Sequence, residues 1–321
     1  MKHVFILNPK AGSGKRLAEL QEKVRALAGA GCDTLCFGSE TADKVALTEG
    51  AKKLLGADFA ADFETRTPET GDAAAHFAAL GDMPAANDIL ALEYVRTILD
   101  ECSLMEIFPV KREGAGYNDT ELGASFPSAT ALRKQMAQGA DITPLLPPVI
   151  GDIWKKALCE WGGTADISRL GIALLARLRA GDLPENIADC GGGLLARLSK
   201  AAYRATDYDT LCAEAATKRY TNGRLRRAML YLLAGVTRED LLSPPAYLRL
   251  LGANERGRAY LSDTRKTRAL SVITKNAELD LSKDRAARQH ALEDIAHALY
   301  ALCLPHPTLP AVLASKPPVM L

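Results

Sequence analysis

The spacing of apolar residues changes near residue 150, and this change constrains the fold more than any other feature of the sequence. Before it, short apolar stretches at residues 4–7, 33–37 and 105–110 alternate with segments of helical period such as residues 16–28. Strands that alternate with helices form a parallel sheet covered by helices. After it, strand patterns nearly vanish and the helical period dominates. We therefore predict an α/β domain with a parallel, Rossmann-like sheet, followed by an all-helical domain.

The predicted boundaries follow this change of period. We place the α/β domain at residues 1–150, the helical domain at residues 151–304 and a proline-rich tail at residues 305–321. The tail contains five prolines and is expected to be extended or loosely docked. A chain of 321 residues is long enough for two domains that each bury a core. The segments of helical period in the second half are residues 170–178, 194–203, 208–216, 225–233 and 285–302.

Composition excludes several classes of protein. The longest apolar runs are too short to cross a bilayer, and the apolar stretch at residues 4–7 is too short for a signal-peptide core. Seven scattered cysteines are typical of reduced thiols rather than a disulfide framework. We therefore expect a cytoplasmic protein with no membrane partner. We also expect Cys32 and Cys36, the closest pair, to face the packed side of a strand rather than to bind a metal.

Charge is distributed unevenly between the two halves. The whole chain has 40 lysines and arginines against 39 aspartates and glutamates, yet residues 200–275 contain fifteen basic and seven acidic residues. The near-neutral total therefore conceals a basic segment of about +8 beside an acidic remainder. The densest basic cluster is residues 218–227. Two interpretations remain open for it, a surface for a phosphate backbone and an ordinary solvated helix face.

The helix predicted within this cluster has two different faces. We predict that Thr221 caps it and that four apolar residues form its buried stripe, Leu225, Met229, Leu232 and Leu233. Arg224, Arg227 and Tyr231 then fall on the opposite face. Guanidinium groups beside a tyrosine are suited to a phosphate backbone with a stacked base.

A glycine-rich loop follows the first predicted strand at residues 8–16, with the sequence NPKAGSGKR. Such a loop between a strand and a helix can hold phosphate through its backbone N–H groups. It is not a Walker A loop, because Pro9 and Arg16 stand where that motif needs a glycine and a hydroxyl residue. The first fifteen or so residues resemble the start of diacylglycerol kinase catalytic domains. The Gly-Gly-Asp-Gly signature of that family is missing from this chain.

A more specific resemblance rests on seven sequence blocks. They are GCDTLCFGSE (31–40), NDILALEYVRTI (87–98), FPVKREGAGYNDT (108–120), FPSATALRKQM (126–136), TKRYTNGRLRR (217–227), LRLLGANERGRAYL (248–261) and VITK (272–275). In this order they resemble the tRNA(Met) cytidine acetate ligase family, across residues 25 to about 280. The resemblance implies a nucleotidyltransferase-like α/β domain, here shortened at its front, followed by a helical domain that holds tRNA.

The resemblance also implies an activity. Members of this family use ATP and Mg²⁺ to activate acetate and transfer it to N4 of the wobble cytidine of elongator tRNA(Met), releasing AMP and pyrophosphate. The partners implied are therefore tRNA and acetate. On the tRNA side, the matching basic residues of this chain are Lys218, Arg219, Arg224 and Arg227.

Several residues match the nucleotide site of the family. Ser128, Thr130 and Arg133 resemble the Ser-Ser/Thr-x-x-Arg element that closes nucleotidyltransferase sites. Hydroxyl and N–H groups at a helix start, with an arginine one turn later, can hold polyphosphate, although the same residues also suit an ordinary capped helix. The other ATP contacts implied by the resemblance are Asn8, Gly38, Asn87, Lys111 and Arg112. Gly38 and Asn87 have simpler interpretations as a turn glycine and a helix cap.

The opening loop departs from the family pattern. Family members have Asn-Pro-Phe-His-x-Gly-His at this place, whereas this chain has Asn8 and Pro9 followed by Lys10 to Lys15 without a histidine. Two hypotheses follow. The first is an active ligase in which Lys15, Arg112, Thr130 and Arg133 act on ATP, and the second is a catalytically impaired tRNA-binding remnant. A third hypothesis is kinase chemistry at the glycine-rich loop. Two interpretations remain for the acidic residues that follow the apolar stretch at residues 105–110, assistance to a metal ion or solvation of a loop, and these residues are Glu113, Asp119 and Glu121.

Overall fold

A computed structural model describes residues 4–6, 32–56, 80, 85–101, 103–111, 113, 127–217, 219–311 and 317–320. The chain consists of two compact units, residues 1–160 and residues 161–321, and each is described by itself. The finer assignment of residues 1–150, 151–304 and 305–321 to functional domains stays a prediction.

The first unit contains the predicted parallel sheet. Its strands are β1 (Val4–Ile6), β2 (Thr34–Ser39) and β3 (Glu106–Lys111), in the order β1-β2-β3, and every pairing is parallel. The central strand β2 is buried along most of its length, and Leu35 and Phe37 are almost fully inaccessible to solvent. A strand covered on both faces needs a continuous apolar run, which explains why this segment lacks an alternating pattern.

Two helices pack together beside this sheet. They are α1 (Lys44–Leu55) and α2 (Ala86–Asp100), and α2 also packs on β2. Asp43 begins α1, because its carboxylate accepts hydrogen bonds from two backbone N–H groups of the first turn, at 2.8 and 3.0 Å. On α2, the buried ring of Tyr94 lies 5.4 Å from the ring of Phe37, centroid to centroid. This aromatic contact joins the helix to the central strand.

The described residues between 127 and 161 are mainly helical. They contain α3 (Ala129–Ala137), a short 3₁₀ turn (Thr143–Leu145) and α4 (Pro148–Trp161), which ends where the second unit begins.

The cysteines of the described residues are free thiols. Cys36, on β2, is buried as predicted, and Cys32 is also buried but lies just before the strand. Burial, with a smaller contribution from Asp33, raises the pKa of Cys32 to about 12. The thiolate needed to bind a metal is therefore disfavoured at Cys32. Within the described part of the chain, no group of three or more histidine, cysteine, aspartate or glutamate residues is arranged to hold a metal ion.

The second unit is mainly helical, as predicted. Its helices are α5 (Gly171–Ala180), α6 (Leu194–Ala202), α7 (Tyr208–Ala215), α8 (Asn222–Ala234), α9 (Arg238–Leu242), α10 (Glu255–Asp263) and α11 (Asp284–Cys303). Its main core is one cluster to which α5, α6, α7 and α8 contribute Leu174, Leu198, Leu211 and Leu225. No helix among the described residues is both long enough and apolar enough to cross a membrane.

Four short strands add to this helical unit. They are β4 (Tyr247–Arg249), β5 (Gly252–Ala253), β6 (Ser271–Ile273) and β7 (Val319–Met320), and they pair in parallel as β4 with β6 and β5 with β7. The sequence did not predict them, because segments of two or three residues are too short to show a period. Since β7 belongs to the proline-rich tail, part of that tail is docked by backbone hydrogen bonds.

Arginines satisfy the carbonyl groups at the ends of three helices in this unit. Arg179 donates to the carbonyl group of Ala202 at the end of α6, at 2.9 Å, and Arg197 donates to that of Ala215 at the end of α7, at 2.6 Å. Arg288 donates in the same way to Gly235 after α8, at 2.7 Å. The last turn of a helix lacks internal partners for its carbonyl groups and attracts cations. Part of the basic residues of this unit therefore has a structural role.

The ion pair of Asp240 with Arg288 makes the stability of this unit depend on pH. The hydrogen bond from Arg288, with further bonds from Thr237, lowers the pKa of Asp240 from 3.8 to about 2. Because the pKa is lowered on folding, the stabilisation is present above the unfolded-state pKa and is lost as the pH falls through about 2. We predict that Asp240→Asn lowers the free energy of unfolding by about 2 kcal/mol at pH 7 and by far less at pH 2.

Urea unfolding at the two pH values measures this difference. Asp263→Asn is the control, since this exposed aspartate at the end of α10 should change stability by less than about 0.5 kcal/mol. An equal effect of Asp240→Asn at both pH values would contradict the ion-pair explanation.

Candidate functional site

The carboxyl ends of β2 and β3 form one edge of the first unit's sheet. Ser39 lies beside Lys111 in the register, and Gly38 lies beside Val110. Open parallel sheets bind ligands at this edge. A Cβ atom placed on Gly38 would meet no atom of the described residues within 4 Å, so those residues leave the backbone there open. Lys111 is exposed and is the last residue of β3.

The segment that follows β2 is bound to the start of α2 by two carboxylates. Glu40 accepts hydrogen bonds from the backbone N–H groups of Asn87 and Asp88, at 3.1 and 3.0 Å. In return, Asp88 accepts from the backbone N–H groups of Glu40 and Thr41, at 2.9 and 3.3 Å, and from the hydroxyl of Ser39. We call this reciprocal arrangement of Glu40 and Asp88 the carboxylate clamp.

The clamp supplies the cap that α2 lacks. Ala85 precedes the helix and has no side chain that can accept a hydrogen bond, so the N–H groups of the first turn need an acceptor from elsewhere. Glu40 provides it, and its negative charge is favourable at the positive end of the helix. The interpretation of Asn87 as the helix cap is wrong. Asn87 lies inside the first turn, and its side-chain amide donates to Oε1 of Glu40 at 2.8 Å.

Asp88 holds the other side of the clamp from a buried position. Its exposed fraction is 5%, so the donors from residues 39–41 replace the water that a carboxylate loses on burial. Ser39 is fully buried, and its hydroxyl also accepts from the backbone N–H of Ala42 at 2.8 Å. Ala42 has a φ of 51°, in the left-handed region that a non-glycine residue rarely adopts. The clamp therefore holds the connection from β2 to α1 in one particular conformation.

The helix start at Ser128 has the predicted cap. Ser128 is fully buried, and its hydroxyl accepts from the backbone N–H of Ala131 at 3.0 Å. Arg133 is exposed one turn later and donates to the hydroxyl of Thr130 at 3.5 Å. Of the three residues, Thr130 and Arg133 are the ones accessible to a ligand. Asn8, Lys15 and Arg112, also predicted at the nucleotide site, lie outside the described residues.

The basic cluster of the second unit differs from the prediction in one respect. Leu225, Met229 and Leu232 form the buried stripe of α8, as predicted, but Thr221 precedes the helix without a side-chain cap bond. The predicted exposed strip of Arg224 and Arg227 is wrong, because both side chains are half-buried against a neighbouring loop. Helical spacing separates the two faces of a helix but does not show what packs on each.

These arginines hold the loop before α6. Arg227 forms an ion pair with Asp189, with 2.8 Å between Nε and Oδ2, and Arg224 donates to the carbonyl group of Gly191 at 3.3 Å. Arg219 and Arg224 lie 5.6 and 5.4 Å from the ring centroid of Tyr220. Tyr220 therefore lies beside two guanidinium groups of the cluster.

Two arginines of this cluster remain exposed. Arg219 and Arg226 present their side chains to solvent, while Lys218 lies outside the described residues. Among the described residues of the cluster, Arg219 and Arg226 are thus the exposed basic side chains.

Comparison with known proteins agrees with the resemblance seen in the sequence. The profile of a family described as HIGH Nucleotidyl Transferase matches residues 18–310. The tRNA(Met) cytidine acetate ligase of Syntrophotalea carbinolica is 33% identical over 273 residues, which cover 78% of this chain and 64% of that protein. The ligase of the same name from Caldanaerobacter subterraneus subsp. tengcongensis is 28% identical over 289 residues, 84% of this chain and 71% of that protein. The chain thus spans somewhat less than two thirds of the Syntrophotalea protein.

Solved structures show a similar fold. The apo structure of Thermotoga maritima TmcAL matches with a TM-score of 0.82 and 24% sequence identity, over 94% of this chain and 80% of that chain. A second structure of that protein, bound with alpha-thio ATP, matches with a TM-score of 0.79 and the same identity and coverage. These matches confirm the predicted fold class.

The clamp makes a testable contribution to stability. Asp88→Ala removes a buried carboxylate and leaves the donors of residues 39–41 without their acceptor. We predict a loss of about 2–4 kcal/mol in the free energy of unfolding, together with faster hydrogen exchange at the amides of Glu40 and Thr41. Urea unfolding and hydrogen exchange measure the two effects.

Asp43→Ala is the matched control. It removes an exposed helix cap in the same segment and should cost about 1 kcal/mol. If Asp88→Ala costs no more than Asp43→Ala, the clamp does not organise this edge of the sheet.

Proposed function

Because the chain belongs to the HIGH nucleotidyl transferase family, we propose that it is a tRNA-modifying ligase that uses ATP to activate acetate. The acceptor proposed is N4 of the wobble cytidine of elongator tRNA(Met), and the other products are AMP and pyrophosphate. The names of its relatives support this activity. The observation that supports the proposal is that Gly38, Lys111 and, through its bond to Glu40, Asn87 lie at one end of the parallel sheet, where sheets of this kind bind ligands.

Each of these residues has a role that follows from its chemistry. The open backbone at Gly38 allows close approach of the nucleotide. The exposed ammonium group of Lys111 attracts phosphate, and the side chain of Asn87 supplies a polar contact. The resemblance assigns Asn8 and Arg112 to the same nucleotide, and Ser128 supports the adjoining element by capping α3.

Catalysis of this reaction depends on position and charge. A carboxylate attacks the α-phosphorus more readily when cationic groups reduce the negative charge of the phosphates. We assign this role to Lys15, Thr130 and Arg133, of which Thr130 and Arg133 lie together at the start of α3. Mg²⁺ would be held mainly by phosphate oxygens and water, since it takes few ligands from protein, and it would reduce the negative charge of the phosphates. Glu113, just after β3, is a candidate for such a contact.

The second unit is proposed to bind the tRNA. Exposed Arg219 and Arg226 are free to contact phosphate groups, whereas Arg224 and Arg227 support the surface by holding the loop of Asp189 and Gly191. The N4 amine can be acylated only when the wobble base is turned out of its stack.

One observation favours a second candidate function. The loop at residues 8–15 has no histidine, although histidines at this place are characteristic of the family that the sequence resembles. A chain with this loop can keep its tRNA surface and lose catalysis. The alternative is therefore a tRNA-binding protein without ligase activity.

An assay of pyrophosphate release separates the two functions. We predict that the chain releases pyrophosphate from ATP when acetate and tRNA(Met) are both present, and that Arg133→Ala slows this reaction by about tenfold to a hundredfold, since it removes a cation at the phosphates. Omission of acetate is the control. Retained tRNA binding without acetate-dependent pyrophosphate release would support the tRNA-binding alternative and exclude the ligase.

Salt-dependent tRNA binding tests the basic surface. We predict that Arg219→Ala together with Arg226→Ala weakens tRNA binding by about tenfold and lowers the salt slope by about 2, since each exposed arginine neutralises one phosphate. Lys52→Ala together with Lys53→Ala is a charge-matched control in the first unit, where both side chains are exposed on α1.

Arg227→Ala serves as a structural comparison. Loss of its ion pair with Asp189 should lower the stability of the second unit and leave the salt slope nearly unchanged. If the Arg219 and Arg226 variant binds tRNA with an unchanged slope, the cluster is a solvated surface.

A further inference from the structure

The side-chain amide of Asn87 can be oriented by chemical reasoning alone. Its Nδ2 atom lies 2.8 Å from Oε1 of Glu40. An ionised carboxylate accepts hydrogen bonds and donates none, so the amino group of the amide must be the part that faces Glu40. The carbonyl oxygen Oδ1 therefore points away from Glu40. Asn87 thus keeps its acceptor, Oδ1, for a partner other than Glu40.

Glu40 is itself held in place. Its Oε2 atom accepts from the backbone N–H groups of Asn87 and Asp88, and its own backbone N–H donates to Asp88. These bonds use the start of α2 as a fixed support. Rotation of Glu40 away from Asn87 would leave first-turn N–H groups without an acceptor, which is unfavourable. The polarity of the Asn87 amide is therefore imposed by the clamp.

We propose that Glu40 is a positioning residue that makes Asn87 select the exocyclic amine of adenine. This inference rests on the proposed function, in which ATP binds at this edge. The ring nitrogens of adenine and the phosphate oxygens only accept hydrogen bonds, so an outward carbonyl oxygen cannot bind them. Ribose hydroxyls both donate and accept, so they would bind the amide in either orientation. The 6-amino group is the part of ATP that only donates, and it is the part for which a fixed acceptor matters.

A change of Glu40 to glutamine should reverse the polarity of Asn87. The oxygen of the new amide is expected to remain with the backbone N–H groups of α2, which places its amino group toward Asn87. Two amino groups cannot hydrogen-bond to each other, so the Asn87 amide turns over and presents its own amino group at the edge. The site then favours a base with an acceptor at position 6, as in inosine triphosphate, which has a carbonyl oxygen there.

A compensating second change should restore the original preference. In the double variant Glu40→Gln with Asn87→Asp, the amino group of the introduced glutamine donates to one oxygen of the introduced aspartate. The other oxygen of the aspartate faces outward as an acceptor, like the carbonyl oxygen of Asn87. The exchange leaves the net charge of the pair unchanged, and the new carboxylate lies in the first turn of α2, where negative charge is favourable.

Calorimetric titration of the full chain with ATP and with inosine triphosphate tests the inference. We expect the wild-type chain to prefer ATP, Glu40→Gln to reduce the ratio of the two affinities by about tenfold, and the double variant to recover it. Glu49→Gln is the control, because Glu49 is an exposed carboxylate on α1 that pairs with Lys52. Thermal unfolding of each variant shows whether it is folded at the temperature of the titration.

The outcomes separate this inference from the proposed function. An unchanged ratio in folded Glu40→Gln, with ATP still bound, would overturn the role of Glu40 and leave ATP binding intact. Weaker binding of 2′-deoxy or 3′-deoxy ATP, with no preference between ATP and inosine triphosphate, would identify a ribose contact and overturn selection of the amine. Absence of ATP binding by the wild-type chain would overturn both the proposed function and the inference.

Discussion

The N–H groups in the first turn of a helix need acceptors, and the way α2 meets this need determines the candidate site. The helix has no capping side chain of its own, so a carboxylate arrives from the segment after β2. That carboxylate orients the helix start relative to the strand. In return, Asp88 on the helix accepts hydrogen bonds from the backbone of the segment after β2. Because Gly38, Asn87 and the end of β3 all adjoin this arrangement, their relative positions depend on it.

In the second unit, the carbonyl groups at helix ends need donors, and positively charged side chains supply them. The ends of α6, α7 and α8 present carbonyl groups, and Arg179, Arg197 and Arg288 donate to them from neighbouring segments. A guanidinium group has several donors in a fixed plane, so one side chain can bind a helix end and a second partner. Arg288 does so with Asp240. An excess of basic residues in a helical protein is therefore partly a feature of its packing, and only the remainder is available to a polyanion.

Much of the fold could be predicted from the sequence because it depends on local pattern. The buried run around Leu35, the short apolar stretch around Ile107 and the helical period of the second half are each visible within a few residues of sequence. The strands β4 to β7 could not be predicted. Each is only two or three residues long, so tertiary contacts rather than a sequence period determine which residues pair.

The residues of the candidate site could be predicted from the sequence, but most of the contacts between them could not. Gly38, Asn87 and Lys111 were found through sequence blocks, but the hydrogen bond from Asn87 to Glu40 joins residues 47 positions apart and leaves no local signal. The same limit applies to Arg227, whose partner Asp189 lies 38 positions away. Spacing along a helix identifies which face carries a charge, whereas the neighbour that neutralises the charge comes from another part of the chain.

The register of β2 with β3 also has a kinetic consequence. It joins Thr34 to Glu106, about 70 positions along the chain, so the central pairing of the first unit closes a long loop before it gains its hydrogen bonds. The core of the second unit is built mostly from successive helices that follow one another closely in sequence. Folding rates fall as the average sequence separation of contacts rises. We therefore expect the helical unit to reach its native packing first, while the sheet that carries the candidate site is completed more slowly.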